Sequence, residues 1–450
     1  MTDTIFARAS GAGKAGVAVY RLSGPDSHAI ANALVGKRIN NREAKLVALR
    51  DPETAELIDR GQIIDKGLAI LFRGPKSFTG EDVAEFHLHG SRAVEISLYE
   101  TLSRLGARPA EAGEFTLRAL KNGKLDLAQA EALADLIDAE TTLQKKQALG
   151  QLDGRLSALA EGWRQQILNV LAPLEADIDF PDEGDVPAAV AANAGPAICA
   201  LKESLTAFLD QSIRARTIRE GVSIAVIGPP NAGKSSLVNA LAGSEVAIVS
   251  DIAGTTRDIV ETRLDLGGIV AAIADTAGIH GATKDKIEEE GMRRARARAK
   301  EADLRVAVLD PGHDYVSRET LDLLRPGDFL IWSKADLAPA IPEAAVPEGV
   351  STIMVSSKTH SGLDGLVSSL TEALAGGLDA DGPALTRERH AAAVREAVEA
   401  LTRAESLIET APELAAEDAR LAARALGSIT GAVGVEDVLG EIFSSFCIGK

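Results

Sequence analysis

The sequence predicts a multidomain protein of α/β and α class: an N-terminal α+β domain, an all-helical domain, and a doubly wound parallel α/β unit inserted into the helical one. Three observations predict it. Residues 1–117 mix short β-rich runs, "AGVAVYRLSG" and "GLAILFRGP", with Gly/Pro turns and one helical pattern, "HGSRAVEISLYETLSRLG". Residues 118–216 are rich in Leu and Ala at helical spacing, as in "LDLAQAEALADLIDAETTLQKKQAL", and residues 378–450 return to Ala-rich helix. Between them, residues 217–377 alternate apolar strands with helices. The simplest organisation packs the helices on either side of the insert against each other.

The punctuation agrees with this division. "DFPDEGDVP" (179–187) is an acidic turn in which Pro stops a helix, and "AGGLDADGP" (375–383) is a Gly/Asp linker. Strands are expected over Ile224–Ile227, Ile269–Ala274, Leu304–Leu309, Phe329–Trp332 and Thr352–Val355.

Composition narrows the functional classes. The 450 residues carry 48 Lys and Arg against 66 Asp and Glu, a formal charge of −18. Broad nucleic-acid binding needs a basic face, which this balance does not supply, although a local patch or a partner protein can still dock an RNA. Cys199 and Cys447 are too few and too scattered for a disulfide framework or a zinc site, which points to a reducing cytoplasm. "MTDTIFARAS" lacks a signal pattern, and no apolar run approaches the ~18 residues of a membrane span.

"GPPNAGKSS" begins at Gly228, follows the apolar "VSIAVI" and precedes the helical "SLVNALAG". This is G-x-x-x-x-G-K-[ST] in its strand–loop–helix setting. Asn231, Ala232 and Gly233 supply loop amides for phosphate oxygens. Lys234 reaches the terminal phosphates, Ser235 offers its hydroxyl to Mg²⁺, and Ser236 continues the turn. "GTTRD" (254–258) offers Thr256 as a second hydroxyl on Mg²⁺. "DTAG" (275–278) ends a strand, so that Asp275 acts on the metal's water shell, Thr276 and Ala277 follow, and the Gly278 amide meets the γ-phosphate. "SKAD" holds the place of N-K-x-D, with Ser333, Lys334 and Asp336; Asp336 accepts the two guanine N–H donors, a pattern adenine cannot match. Ser356, Ser357 and Lys358 ("SSK") line the base pocket. Four such elements in this order indicate a Ras-like P-loop GTPase domain. Ser333 departs from the usual Asn. Its hydroxyl is shorter than an amide, so nucleotide binding is expected to weaken by ~1 kcal/mol, with guanine preference kept through Asp336.

The hydrolytic apparatus is unusual. Ras-like enzymes orient water with a Gln after D-x-x-G, and here that place is Ile279. Arg257 is the nearest candidate for a charge-neutralising arginine. Asn231 either caps the loop or holds a monovalent cation beside the phosphates. Elsewhere, "RRARARAK" (293–300) is a solvated basic face or a contact to RNA or a partner. His87 and His89 share a strand face without the spacing of a metal site.

"GPPNAGKSSLVNAL", "IVSDIAGTTRD", "DTAG", "LDLAQAEALADLIDA", "DIDFPDE", "TGEDVAEFHLHG" and the terminal "FSSFCIGK" together resemble the MnmE (TrmE) family, the tRNA-uridine 5-carboxymethylaminomethyl modification GTPases. The resemblance spans the whole chain. It implies a potassium-activated, homodimeric GTPase, with contacts through the GTPase domain and dimerisation by the N-terminal one. It implies K⁺ ligands at Asn231, Ser250, Ile252 and Thr255, with Asp251, Ala253 and Gly254 completing the nucleotide-binding stretch. Glu288 falls on the water-orienting glutamate, with Glu289 as the alternative. The N-terminal domain resembles folate-dependent one-carbon enzymes, which places a 5-formyl- or 5,10-methylene-tetrahydrofolate on Arg21, Glu85, Lys124 and Lys450. A pterin's donor edge suits a carboxylate, and its glutamyl tail suits Lys or Arg.

The resemblance also accounts for the end of the chain. Phe443, Phe446 and Ile448 are expected to anchor the tail, which brings Lys450 to the folate pocket and Cys447 to the one-carbon unit; a neighbouring lysine favours thiolate. The implied function is a cytoplasmic GTP hydrolase that binds GTP, Mg²⁺ and K⁺. With the flavin-dependent MnmG (GidA), in a heterotetramer, it modifies wobble uridine of tRNA; FAD belongs to the partner alone. The alternative is a regulatory GTPase of RNA or ribosome assembly without modification chemistry.

Overall fold

The computed structural model describes residues 3–56, 62–179, 194–248, 261–274, 297–312, 318–337, 346–376, 382–433, 436–444 and 446–449. The chain forms two compact units. One comprises Met1–Ala134, Leu152–Cys199 and Glu396–Lys450, the other Asp135–Gln151 and Ala200–Arg395.

The first unit holds a mixed six-stranded sheet in the order β3-β4-β5-β2-β1-β6. Its strands are β1 (Ile5–Arg8), β2 (Ala15–Ser23), β3 (Lys45–Arg50), β4 (Ile63–Phe72), β5 (Val83–Gly90) and β6 (Arg108–Pro109). Alternation sorts their side chains. Ala18, Tyr20 and Leu22 of β2 and Ala84, Phe86 and Leu88 of β5 face a core closed by α1 (Ser27–Val35) and α2 (Arg92–Arg104). Ser91 caps α2 by accepting the Val94 amide at 3.3 Å. The register pairs Arg21 with Glu85. The helices α3 (Glu114–Lys121) and α4 (Leu127–Asp138) follow β6.

Further along, α6 (Arg155–Asp179) packs on α12 (Pro412–Thr430). Their close approach follows from small residues: Ala415, Ala419, Ala422 and Ala423 of α12 are all buried. These helices lie on either side of the α/β insert in the chain, as expected. Glu175 and Arg420 join them at 2.7 Å.

The second unit is built on a sheet in the order β12-β11-β10-β7-β9-β8. Its strands are β7 (Val222–Ile227), β8 (Glu261–Leu266), β9 (Ile269–Ala274), β10 (Leu304–Leu309), β11 (Phe329–Trp332) and β12 (Ser351–Met354). All neighbours are parallel except β8 and β9. The fully buried β10 marks the middle of a sheet covered on both faces. One face packs α8 (Lys234–Ala242) and α10 (Leu363–Ala375) through Leu237, Leu241, Leu366 and Leu370; the other packs Leu321 of the short α9 (Arg318–Leu321). Among the described residues the remaining α-helices are α5 (Thr142–Leu152), α7 (Ala194–Glu220) and α11 (Glu388–Leu407), all three with residues in both units, and, in the first unit, α13 (Glu436–Ser444). The five expected strands are all present, the last one residue earlier than expected.

Candidate functional site

The phosphate loop leaves β7 and ends at Gly233, the N-cap of α8, in a left-handed conformation with φ 96°. Gly228 has φ 144°, and a Cβ there would stand 2.2 Å from the Val308 carbonyl oxygen, so only glycine lets the loop leave the sheet. Asn231 is also left-handed, at φ 61°. A loop of left-handed turns that ends at the N-terminus of a helix, as this one does at α8, is an arrangement suited to phosphate. Lys234 Nζ donates to the carbonyls of Gly228 and Pro229 at 3.0 and 2.8 Å, which holds the ammonium across the loop. Ser235 lies in the first turn of α8.

At the base end, the Ser356 hydroxyl donates to Asp336 Oδ1 at 2.7 Å. That bond, with Lys358 nearby, holds the exposed Asp336 carboxyl below its ordinary range, so it is a permanent acceptor. Ser356 is fully buried and also accepts the Thr359 amide at 3.2 Å, which fixes it in place. The left-handed Lys334, at φ 54°, turns the chain out of β11, and its ammonium pairs with Asp310. Ser333 behaves differently from expectation in one respect. Short as it is, its hydroxyl reaches the phosphate loop, lying 2.6 Å from the Ala232 carbonyl and 3.1 Å from that of Leu309. Of the remaining residues expected at the nucleotide site, Ser250, Asp251, Ile252, Ala253, Gly254, Thr255, Thr256, Asp275, Thr276, Ala277, Gly278 and Glu288 lie outside the described residues.

In the first unit the structure brings Arg21 and Glu85 together. Arg21 Nε donates to Glu85 Oε1 at 2.8 Å, and its guanidinium lies 5.2 Å from the Phe78 ring centre and 5.8 Å from that of Phe115. His87 Nε2 stands 3.7 Å from the other oxygen of Glu85. Lys124 is exposed, and its stem runs beside Gly80 in the "TGEDVAE" loop. The tail is held. Phe443 and Phe446 are buried in a cluster with Ala130, their ring centres 5.2 Å apart. Ile448 does not anchor through its side chain, which is 65% exposed; its backbone instead bridges to Ala112. Gly449 lies so close to the Arg8 carbonyl that a Cβ would stand 2.0 Å from it. Cys447 is exposed, and Lys450 lies outside the described residues.

Residues 127–447 match the MnmE helical domain family, and residues 4–124 match the family described as GTP-binding protein TrmE N-terminus. The tRNA modification GTPase MnmE of Parvibaculum lavamentivorans is 49% identical over 453 residues, covering all of both chains. That of Caulobacter vibrioides is 49% identical over 456 residues, again covering both chains in full. The chain belongs to the MnmE family. Among solved structures, the G domain of the T. maritima FeoB iron transporter is 27% identical over 34% of this chain and 98% of that chain, with a TM-score of 0.25.

One part of the MnmE-family N-terminal domain escapes sequence reasoning. Arg118 is fully buried and donates to Glu81, Glu114 and Asp3 at 3.1, 2.9 and 3.0 Å. Glu81 in turn accepts the Ser23 hydroxyl at 2.6 Å, and Arg108 pairs with Glu114. Burial pushes the Glu114 carboxyl up, but hydrogen bonds from Arg108, the Glu111 amide and Arg118 outweigh it, and Glu114 sits below its ordinary value. The network ties the loop before β5 to α3, and so supports the strand that carries Glu85. "TGEDVAE" was the only signal available, since it places Glu81 four residues before Glu85.

Proposed function

We propose that this GTP hydrolase of the MnmE family acts in tRNA modification as a potassium-activated enzyme. With a flavin-dependent partner of MnmG (GidA) type, it adds an aminomethyl or carboxymethylaminomethyl group to C5 of wobble uridine in certain tRNAs. The carbon comes from a tetrahydrofolate one-carbon unit, the working form is a homodimer, in a heterotetramer with the partner, and the location is the cytoplasm. The proposed domains are 1–117, 118–216, 217–377 and 378–450. Among the described residues, no helix is long and apolar enough to cross a membrane.

The nucleotide site supports the hydrolytic half. Asn231 is exposed and left-handed at the turn of the phosphate loop, which suits an amide oxygen to a cation beside the phosphates. Ser235, in the first turn of α8, suits Mg²⁺ together with Thr256. K⁺ supplies fixed positive charge of the kind an arginine finger gives elsewhere. Ser250, Ile252 and Thr255 complete its proposed ligands, and Glu288, or Glu289, orients water. Asp336, held ionised by Ser356, reads guanine. Segments ordered by the γ-phosphate relax after hydrolysis, so the cycle supplies conformational change and not C–C bond chemistry.

The observation that carries the modification half is the Arg21–Glu85 pair beside Phe78 and Phe115. A carboxylate held by a guanidinium that itself lies over two aromatic rings fits the donor edge of a pterin, and Lys124 and Lys450 fit the glutamyl tail. A purely regulatory GTPase has no use for it. The test is titration of the purified chain with 5-formyltetrahydrofolate. Saturable binding is expected, weakened at least about tenfold in Glu85→Gln, since one charge-assisted hydrogen bond contributes ~1.5–3 kcal/mol. Absence of saturable binding would favour the regulatory reading.

A further inference from the structure

Helix α5 grips the hairpin that lies in sequence between "GTTRD" and "DTAG", the two switch motifs of the GTPase unit. In sequence, β8 begins at Glu261, three residues after "GTTRD", and β9 ends at Ala274, immediately before "DTAG". The far end of this hairpin is the turn Gly267–Gly268, with φ 67° and 95°. It is held from two sides. The Thr141 hydroxyl donates to the Gly268 carbonyl at 2.6 Å, and Thr141 is 5% exposed. Leu143 packs against Gly268 so closely that a Cβ would stand 2.7 Å from its own. On the other side, a Cβ at Gly267 would stand 2.7 Å from Thr371 of α10. Arg263 of β8 adds an ion pair to Glu140 at 2.7 Å, exposed and therefore weak.

The same residues start the helix. The Thr141 hydroxyl accepts the Gln144 amide at 3.2 Å, and Gln144 Oε1 accepts the Thr141 amide at 3.2 Å, a reciprocal capping box. Gln144 Nε2 then donates to the Arg219 carbonyl at 3.1 Å, in the last turn of α7, which leads into β7 and the phosphate loop. One helix start therefore holds both the hairpin between the switch motifs and the approach to the phosphate loop.

We propose that Thr141 is a positioning residue for GTP hydrolysis: its bond to Gly268 fixes the β8–β9 hairpin, which in sequence follows "GTTRD" with Thr256 and precedes "DTAG" with Asp275. The proposal rests on the reading that those two residues serve the metal and γ-phosphate. Coupling of this kind is reciprocal, so the nucleotide state also changes the order of the α5 start.

The test uses the full chain with Thr141→Val, Thr141→Ser, Gln144→Ala and Thr256→Ala. In Thr141→Val, kcat is expected to fall about fivefold, the effect of one hydrogen bond, with GDP affinity near wild type. Thr141→Ser, which keeps the hydroxyl, is expected to restore kcat. Gln144→Ala removes the side-chain arm of the capping box and the bond to the Arg219 carbonyl, but keeps the Gln144 amide on Thr141 and the bond to Gly268, so its thermal midpoint falls while kcat stays above that of Thr141→Val. In wild type, amide exchange at residues 141–145 should differ between GDP and a non-hydrolysable GTP analogue, and the difference should vanish in Thr141→Val. The proposal is overturned if Thr141→Val keeps wild-type kcat, if Gln144→Ala lowers kcat equally, or if the exchange difference persists. If Thr256→Ala keeps full turnover, the reading of the switch motifs fails on its own account.

Discussion

Replacing Ser333 with alanine tests how the base loop supports the phosphate loop. Ser333 is 6% exposed, and its single hydroxyl proton is shared between the carbonyls of Ala232 and Leu309. Leu309 keeps a partner in the variant, because it also accepts the Ser333 amide at 2.8 Å. The loss therefore falls on Ala232, which is itself buried and lies between Asn231 and Gly233. A net hydrogen bond contributes ~1 kcal/mol, and 1.4 kcal/mol is a factor of ten, so GTP affinity is expected to fall about fivefold. The bond lies within the protein, so its loss acts through the share of correctly ordered loops. Ser333→Asn restores the usual amide and is expected to tighten binding by a similar factor. Titration with a fluorescent, non-hydrolysable GTP analogue measures both variants, with thermal midpoints as the control for folding. Wild-type affinity in Ser333→Ala would refute the reasoning.

Two further outcomes follow from the N-terminal unit and the tail. Glu114 ionises more readily folded than unfolded, so it adds stability above its ordinary value of 4.5, lost as pH falls through the lower folded value. Glu114→Gln should then lower the thermal midpoint at neutral pH but narrow its gap to wild type below pH 4.5; a gap that stays constant with pH would contradict this. Cys447→Ser should leave folate binding and GTP turnover intact, since the tail is held by Phe443, Phe446 and the Ile448 backbone; mass spectrometry of tRNA nucleosides should show impaired wobble-uridine modification, and fully modified tRNA would reduce the thiol to packing.

The parts of this molecule legible in the sequence are those carried by local pattern. "VSIAVI" before "GPPNAGKSS" announces β7, the phosphate loop and α8, because a buried strand, a glycine turn and a helix start leave contiguous signals. The pairing of Ser356 with Asp336 follows from two short motifs at adjacent strand ends. Strand β8 was not legible: "ETRLDL" buries only Leu264 and Leu266 at the sheet edge, too few apolar residues to mark a strand. Nor was the Arg118 network, whose carboxylates lie 4, 37 and 115 residues away along the chain. Ile448 misled for a related reason. Its apolar side chain suggested an anchor, whereas the backbone bridge to Ala112, which no side-chain pattern encodes, does the holding.

The measurement that bears most directly on the proposed mechanism is the rate of GTP hydrolysis by the full chain in K⁺ against Na⁺ at equal ionic strength. With Ile279 in place of a water-orienting Gln, and Asn231 exposed and left-handed in the phosphate loop at φ 61°, turnover should be at least about tenfold faster in K⁺. The Asn231→Ala variant should lose that difference. Equal turnover in the two salts, or an Asn231→Ala variant that keeps its cation response, would contradict the account.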